Sequence, residues 1–424
     1  MEIQLVGSTN NLIPEGLIPY LDDFDIPEKP IEINRQEIYS DIEDLPDKEQ
    51  IIESLYKFSQ TSARVCYSKY NFQELLDEVL KKGFLDGLIE RGHHSVFEHI
   101  NFNFYLDDFS KMFVMVLNNE KQYATSEKSA RYTEMTDIQS NQKLLYEKWK
   151  SIFQEEITKK YSKNNFGGLY IKGDDGKTTM EKLAQENARY MTSVFTPTKM
   201  VYTLNWRQLN FLMSEFEKFQ SNPDIRYCGE ELGERVVDDM KEFNRQLAPL
   251  RIDGLENQTD RRLSAFDFEE VENSFKYAYS TNYEISFAGW GQFQRHRTID
   301  YHTSDGTDLG ANLGFFVPRL IRRKNLETEW IKDLESVAQT DFPQGQLIRL
   351  NEYGNIKDFR SKWFLRVCGH AQNEAMEVTV KTGKKYKRFQ KKYGDKSLEP
   401  KCIQGYKCVG TCVWKGKKAL SRLI

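Results

Sequence analysis

Two arginines flank a histidine in the triplet Arg295-His296-Arg297, a dense cluster of side-chain donors. Guanidinium groups present a planar fork of N–H donors, which suits an anionic or electron-rich planar ligand. Taken alone, a basic triplet is more typical of a solvated surface than of a binding site. The triplet gains meaning only if complementary residues elsewhere in the chain meet it.

A second candidate cluster lies far upstream, in the segment 127–132. Ser129 and Arg131 place a hydroxyl donor beside a guanidinium, a combination that can hold a phosphate group. An exposed polar turn is the alternative interpretation, and it would be favoured if the segment stood by itself.

The histidines are concentrated rather than scattered. Three of the six, His93, His94 and His99, fall within seven residues, and the others are His296, His302 and His370. Each imidazole needs hydrogen-bond partners. The concentration therefore favours three functional blocks over ordinary core histidines.

Composition limits the class of protein. The 424 residues carry 60 basic and 64 acidic side chains, a net charge of −4, which gives no electrostatic case for a nucleic-acid or membrane-binding protein. The chain has no apolar run of transmembrane length and no signal-peptide pattern at Met1. Six cysteines without a regular framework indicate a reducing compartment, so we expect a cytoplasmic protein. Cys402, Cys408 and Cys412 match no standard zinc motif, and we predict no metal site.

The elements that must position these clusters occur twice along the chain. After an extended arm over 1–47, hydrophobic periodicity predicts a helix from Lys48, a helix over 72–90, and a strand with alternating apolar residues at 100–106. An apolar helix over 110–117 follows, and then an amphipathic helix over 138–163. The apolar stripe predicted for this second helix consists of Leu144, Leu145, Trp149, Ile152 and Phe153.

A polar boundary at about 245–262 separates this order from a second strand at 283–287 and a short helix leading into the Arg295 triplet. We therefore predict an α+β fold with two tandem repeats, each a small sheet packed with long helices. The first repeat would span 48–255, and the second would span 256–424 with a basic C-terminal tail.

These blocks resemble flavin-dependent thymidylate synthases. The family signature is Arg-His-Arg, seven residues, then Ser-x-Arg-Tyr, preceded by a Gly-His-x-Ser/Thr-Pro-Phe-Glu-His block. Residues 92–99 match that block except at the proline. The first repeat keeps Ser129-Ala130-Arg131-Tyr132 but has Asn119-Glu120-Lys121 in place of the triplet. The second keeps the triplet but has Asp305 and Thr307 where Ser and Arg belong.

The losses in the two repeats are complementary. In the family, each active site is assembled from several subunits, and different subunits supply the two halves of the signature. Two fused copies could keep one hybrid site while its reciprocal decays. The resemblance therefore implies an active enzyme, with a homodimer of the fused chain rebuilding the family's four-unit assembly.

The resemblance also implies residue roles. Arg366 would polarise the pyrimidine as the catalytic group. The nucleotide would be bound by Glu127, Ser129, Arg131, Arg189, Gln292 and Arg295. The flavin would be bound by His93, Ser95, Arg295, His296, Arg297, Asn205 and Arg207, where Asn205 and Arg207 are preferred to the corresponding Asn355 and Lys357 of the second repeat.

The reaction implied is the reductive methylation of dUMP to dTMP. Methylenetetrahydrofolate or a pterin analogue would supply the methylene group, FAD the hydride, and NADPH the reducing equivalents. Two alternatives remain open: a non-catalytic flavin- or nucleotide-binding paralogue, and a related enzyme that modifies another pyrimidine nucleotide.

Overall fold

The computed structural model describes residues 1–8, 48–135, 137–161, 177–221, 230–256, 262–303 and 313–389, with short C-terminal segments at 399–400, 402–405, 414 and 420–424. Most of the predicted N-terminal arm, together with Asp305, Thr307, Cys408 and Cys412, lies outside the described residues. We refer to residues up to 256 as the N-terminal half and to residues from 262 as the C-terminal half.

The N-terminal half is built on a four-stranded antiparallel sheet in the order β1-β2-β4-β3. Its strands are β1 (Glu2–Ser8), β2 (Asn101–Ser110), β3 (Ala124–Glu127) and β4 (Pro197–Asn205). The predicted alternation holds in β2, where Phe102, Phe104 and Leu106 are fully buried. This period of two places one face of β2 in the core.

Eight helices of the N-terminal half are described. They are α1 (Lys48–Val65), α2 (Phe72–Leu76), α3 (Lys82–Glu90), α4 (Lys111–Leu117), α5 (Ser140–Lys160), α6 (Thr179–Ala188), α7 (Trp206–Ser221) and α8 (Glu230–Leu247).

Two helix predictions need correction. The helix predicted over 72–90 is two helices, because the Gln60 amide donates to the Val79 carbonyl at 3.0 Å and accepts from the Lys81 N–H at 2.7 Å. These tertiary hydrogen bonds replace the helical ones. In α5 the predicted stripe is correct at Trp149 and Phe153, which are fully buried, and wrong at Leu144, which is 74% exposed. Trp149 packs against Trp330 of the C-terminal half, with ring centroids 4.8 Å apart.

The C-terminal half repeats this sheet order. Its four strands run antiparallel in the order β5-β6-β8-β7. They are β5 (Ser274–Phe275), β6 (Ala278–Ser286), β7 (Ile299–Thr303) and β8 (Leu347–Asn355). The described helices are α9 (Phe287–Phe293), α10 (Arg319–Arg323), α11 (Glu327–Ala338), α12 (Ile356–Arg366) and α13 (Asn373–Phe389). The strand predicted at 283–287 therefore begins earlier and ends before Phe287.

Matching residues begin the matching helices. Ser110 caps α4 and Ser286 caps α9, each hydroxyl accepting the N–H three residues on at 3.1 Å. Asn205 is likewise the last residue of β4, directly before α7, and Asn355 is the last residue of β8, directly before α12. Because these residues correspond, positions in one half can be matched to positions in the other. The fold is α+β, as predicted.

The halves meet along an antiparallel bridge between Ser193 and Pro343. The Val194 N–H donates to the Phe342 carbonyl at 2.8 Å, and the Gln344 N–H donates to the Thr192 carbonyl at 2.7 Å. The largest buried apolar cluster includes residues of both sheets. Within the described ranges, no helix is long and apolar enough to cross a membrane.

Candidate functional site

A solvent-open cavity is lined by residues of both halves. All seven residues expected to contact the nucleotide line it. They are Glu127, Ser129, Arg131 and Arg189 from the N-terminal half, and Gln292, Arg295 and Arg366 from the C-terminal half.

Arg366, the last residue of α12, is fixed against the end of α9. Its Nε donates to Nε2 of His296 at 2.8 Å, and one terminal nitrogen donates to the Gln292 carbonyl at 2.7 Å. Burial, followed by the charges of Arg366 and Lys362, lowers the pKa of His296 to about 2, so the imidazole is neutral and its Nε2 can accept. Burial lowers the pKa of Arg366 only to about 10, which leaves a fixed cation in the cavity wall at neutral pH.

Two buried donors in the wall have no partner among the described residues. Arg189, 6% exposed, donates through one terminal nitrogen to the Ala288 carbonyl at 3.2 Å and to Oε1 of Gln372 at 2.6 Å, but its Nε is unpaired. Nε2 of Gln292 is also buried and unpaired. An unpaired buried donor costs about 1–3 kcal/mol, so these groups are suited to a ligand that brings acceptor oxygens.

Arg131 and Ser129 form another part of the wall. The Arg131 guanidinium is paired with Glu186, and one terminal nitrogen donates to the His370 carbonyl at 2.8 Å. The backbone turns at Ser129, whose carbonyl accepts the N–H of Thr133 at 2.8 Å. This turn presents the hydroxyl and the guanidinium to the same cavity.

Glu127 is the acidic group of the cavity, with a side chain 4% exposed. It forms an ion pair with Lys111, accepts from Asn118 at 3.3 Å, and lies 4.0 Å from the guanidinium of Arg295. Lys111 lines the cavity but was not predicted. The sequence feature that could have indicated it is a single lysine at the start of an otherwise apolar helix. Burial lowers its pKa, although Glu127 opposes that shift.

The residues expected at the flavin do not all meet here. Arg297 donates to the Thr125 carbonyl at 3.0 Å and lies over the Tyr123 ring, 5.4 Å from its centroid. Of the triplet Arg295-His296-Arg297, Arg295 lines the cavity.

The other expected flavin contacts, His93, Ser95, Asn205 and Arg207, are not among the lining residues. They belong to a separate surface of the N-terminal half, where Arg207 pairs with Glu98 at 2.5 Å. His93 and Ser95 are exposed, and Asn205 accepts from the Gln208 N–H at 2.7 Å.

Comparison with known proteins finds similarity over part of the chain. The family model described as thymidylate synthase complementing protein matches residues 44–240. A flavin-dependent thymidylate synthase of Clostridium tetani (strain Massachusetts / E88) is 28% identical over 179 residues, which are 40% of this chain and 69% of that protein. Residues 44–240 are therefore similar to the flavin-dependent thymidylate synthase family.

Two solved structures are also similar to the chain. A UMP/dUMP methylase, PolB, from Streptomyces cacaoi bound with 5-Br dUMP is 17% identical, covering 46% of this chain and 86% of that chain, with a TM-score of 0.29. Thymidylate synthase X from Helicobacter pylori with FAD and dUMP is 18% identical, covering 47% of this chain and 90% of that chain, with a TM-score of 0.27.

In this flavin-dependent thymidylate synthase-like chain, a buried network behind the cavity joins the two halves. Arg189 is held by Gln372, which also bonds Tyr190. The Tyr190 hydroxyl donates to Glu374 at 2.8 Å, and Glu374 accepts from both the N–H and the hydroxyl of Ser286 at 2.7 Å. Gln372 of the C-terminal half thus positions an arginine of the N-terminal half, a contact that the sequence did not predict.

Proposed function

We propose that the chain catalyses the reductive methylation of dUMP to dTMP in the cavity between its halves. Methylenetetrahydrofolate or a pterin analogue would provide the methylene group and NADPH the electrons. The observation that supports this most directly is that seven residues from distant segments, each expected at the nucleotide from the family resemblance, line one cavity.

The phosphate end of the nucleotide would lie against Ser129, Arg131 and Arg189. A phosphate oxygen at Nε of Arg189 would satisfy a buried donor that has no partner among the described residues. Charge-assisted hydrogen bonds of this kind are about twice as strong as neutral ones. The free energy lost by leaving the donor unpaired would then be recovered on binding.

The pyrimidine end would face Arg366. Two hydrogen bonds, to His296 and to the Gln292 carbonyl, orient this guanidinium before the ligand arrives. A cation held in advance stabilises negative charge that develops on the pyrimidine without reorganising during the reaction. The neutral His296 supports the arginine as an acceptor and adds no competing charge.

FAD, when bound, would supply the hydride that completes the methyl group. The guanidinium donors of Arg295 and Arg297 fit its anionic and carbonyl groups, and His296 lies between them. His93, Ser95, Asn205 and Arg207 are the remaining proposed contacts. Because they are not in the lining of this cavity, we propose that a homodimer brings the equivalent surface of a second chain to it.

The chain would have arisen by tandem duplication, with repeats at 48–255 and 256–424. The common strand order of the two sheets and the matching serine caps support this proposal. A fused pair that retains one hybrid cavity needs the phosphate residues from one repeat and Arg366 from the other.

The test uses the purified full-length chain. We expect visible flavin absorbance at no more than one FAD per chain, dUMP-dependent reoxidation of the reduced flavin, and dTMP as the product by mass spectrometry. Absence of both flavin and dUMP binding would overturn the proposal. Flavin and nucleotide binding without turnover would favour the non-catalytic paralogue, and product formed only from another pyrimidine nucleotide would favour the related enzyme.

A further inference from the structure

A buried ion pair lies directly behind Arg366 on the side away from the cavity lining. Lys362, one turn earlier on α12, is 3% exposed and pairs with Glu352 of β8, which is fully buried. Both residues are absent from the cavity wall. The pair therefore reaches a ligand only through its neighbours.

Aromatic groups enclose the two charges. The hydroxyls of Tyr279 and Tyr283 donate to Glu352, the first at 2.8 Å. Nζ of Lys362 lies 3.6 Å from the centroid of the Phe293 ring and 5.4 Å from that of Tyr301. A cation over ring faces gains a favourable but modest interaction, so the carboxylate remains its main partner.

The fold does not require this pair. Counted from the matching residues Asn205 and Asn355, the positions of Glu352 and Lys362 correspond to Tyr202 and Leu212 in the N-terminal half. There, the Tyr202 hydroxyl donates to the Leu117 carbonyl at 3.1 Å, and Leu212 is part of the apolar core. A buried ion pair is in general no more stabilising than apolar residues of similar volume.

The pair is instead associated with the half that carries Arg366 and His296. Residues four apart on a helix lie on the same face, so Lys362 and Arg366 are neighbouring like charges. The carboxylate of Glu352 balances the positive charge of Lys362. Phe293, under the Lys362 ammonium, ends the helix that leads to His296. The ion pair thus contacts both elements that orient the guanidinium.

We propose that Lys362 and Glu352 are positioning residues that hold Arg366 toward the cavity and His296 neutral, and that nucleotide binding depends on the charge of Lys362. This inference rests on the proposed function of the cavity. If Lys362 loses its proton, the carboxylate of Glu352 is left buried without its cation. Arg366, one turn away, is then the nearest replacement, and the guanidinium is drawn from the ligand.

Lys362 is the member of this group whose charge changes just above neutral pH. Burial lowers its pKa to about 8, with Glu352 opposing and Arg366 reinforcing the shift. Burial raises the pKa of the hydroxyls of Tyr279, Tyr283 and Tyr301 well above the usual value. His296, with a pKa of about 2, and Arg366, at about 10, keep their charge states between pH 7 and 9. We therefore expect positioning to be present well below pH 8 and to be lost as pH rises through about 8.

The experiment measures the dissociation constant of dUMP for the full-length protein between pH 6.5 and 9.5. We expect wild-type affinity to fall about tenfold between pH 7 and 9, which corresponds to ~1.4 kcal/mol. Lys362→Met should bind weakly at every pH because Glu352 stays uncompensated. The double variant Lys362→Met/Glu352→Gln should bind roughly fivefold more weakly than wild type at pH 7, without the alkaline decline. Leu212→Met, at the corresponding position of the other half, is the control and should retain the wild-type profile.

A second measurement does not depend on the nucleotide. The imidazole ¹⁵N resonances of His296, assigned with a His296→Gln variant, should show a neutral ring protonated on Nδ1 and should shift near pH 8 in wild type but not in the double variant. Absence of that shift, or a double variant with wild-type affinity and pH profile, would overturn the positioning role. If the shift occurs but wild type binds no dUMP at any pH, the ion pair still acts on His296 and only the proposed function fails.

Discussion

The triplets Asn119-Glu120-Lys121 and Arg295-His296-Arg297 stand at the same place in the two halves but face different partners. Each follows a short buried helix that a serine caps. Glu120 is fully buried and accepts from the N–H and the hydroxyl of Ser264, at 2.6 and 2.7 Å. Arg295 instead lines the cavity. The triplet of the N-terminal half therefore holds a connecting segment, whereas the triplet of the C-terminal half contributes Arg295 to the wall of a cavity.

The residues around the first triplet are apolar at positions where those around the second triplet are polar. Phe216 occupies the position in α7 that Arg366 occupies in α12, and it packs against Phe113 and Phe243 with centroids 5.5 and 5.6 Å apart. Val116 stands where α9 has Gln292. At these two positions the N-terminal half has apolar core residues where the C-terminal half has polar residues of the cavity wall.

The last residue of each triplet joins the halves reciprocally. Lys121 pairs with Asp300 of β7 at 2.7 Å, whereas Arg297 donates to the Thr125 carbonyl of β3 at 3.0 Å. Each therefore reaches the strand that follows the other triplet, as in the isologous interface of a two-fold dimer. The last residue of the triplet thus contacts the other half in both cases, whereas the ligand-facing residues of the two halves differ.

The largest expected effect is at Arg366. Arg366→Ala removes the oriented cation and leaves His296 without its donor, so we expect dUMP-dependent turnover to fall about 1,000-fold, within the range found for loss of a preorganised electrostatic group. Flavin binding should persist. Steady-state assays with flavin absorbance would measure both.

Phe216→Leu is the matched change in the other half. It should lower the free energy of unfolding by about 1 kcal/mol through poorer packing and leave nucleotide affinity unchanged. Comparable turnover losses in the two variants would show that the two positions do not differ in function.

At Glu120 we expect a smaller effect than at Arg366, and one on stability alone. Glu120→Ala leaves the buried N–H of Ser264 without its acceptor, which should lower the free energy of unfolding by about 2 kcal/mol in a urea titration. The dissociation constant of dUMP for the folded protein should not change. A loss of affinity as large as the loss of stability would mean that the first triplet still contributes to the site.

The sequence predicted the cavity residues better than the helix faces, for a physical reason. Ser129, Arg189 and Arg366 are chemically distinctive, and their pattern survives the loss of its other members. Helix boundaries depend on tertiary partners. The break after α2 is made by the Gln60 amide, and Trp149 of α5 packs against a tryptophan from the other half. Neither partner is visible in local periodicity.

Lys111 and Lys362 were missed for a related reason. Each is a single charge in a segment whose pattern indicates a helix, and its burial follows from a carboxylate distant in sequence, Glu127 or Glu352. The placement of His93 and Arg207 away from the cavity lining also could not be deduced from spacing. Their proposed role at the flavin still requires a second chain.

The smallest expected effect concerns the two acidic residues that hold the capping serines. Asp239 accepts from the N–H and the hydroxyl of Ser110, as Glu374 does from Ser286. Burial raises the pKa of Asp239 to about 6, although the Ser110 hydrogen bonds oppose the shift. Because this pKa lies above that of an unfolded chain, the folded state binds the proton more tightly, and the contribution of Asp239 to stability falls as pH rises from about 4 to 6.

Asp239→Asn removes that charge while an amide oxygen can still accept from the backbone. We expect thermal unfolding to show a gain of about 1 kcal/mol at pH 7 and none at pH 4, where Asp239 is already protonated. Glu374→Gln should behave differently, because Glu374 also holds the Tyr190 hydroxyl beside Arg189. We expect the Glu374→Gln change to weaken dUMP binding, whereas Asp239→Asn should change only the stability of the fold. Equal behaviour of the two variants would mean that the C-terminal serine cap, like the N-terminal one, serves the fold alone.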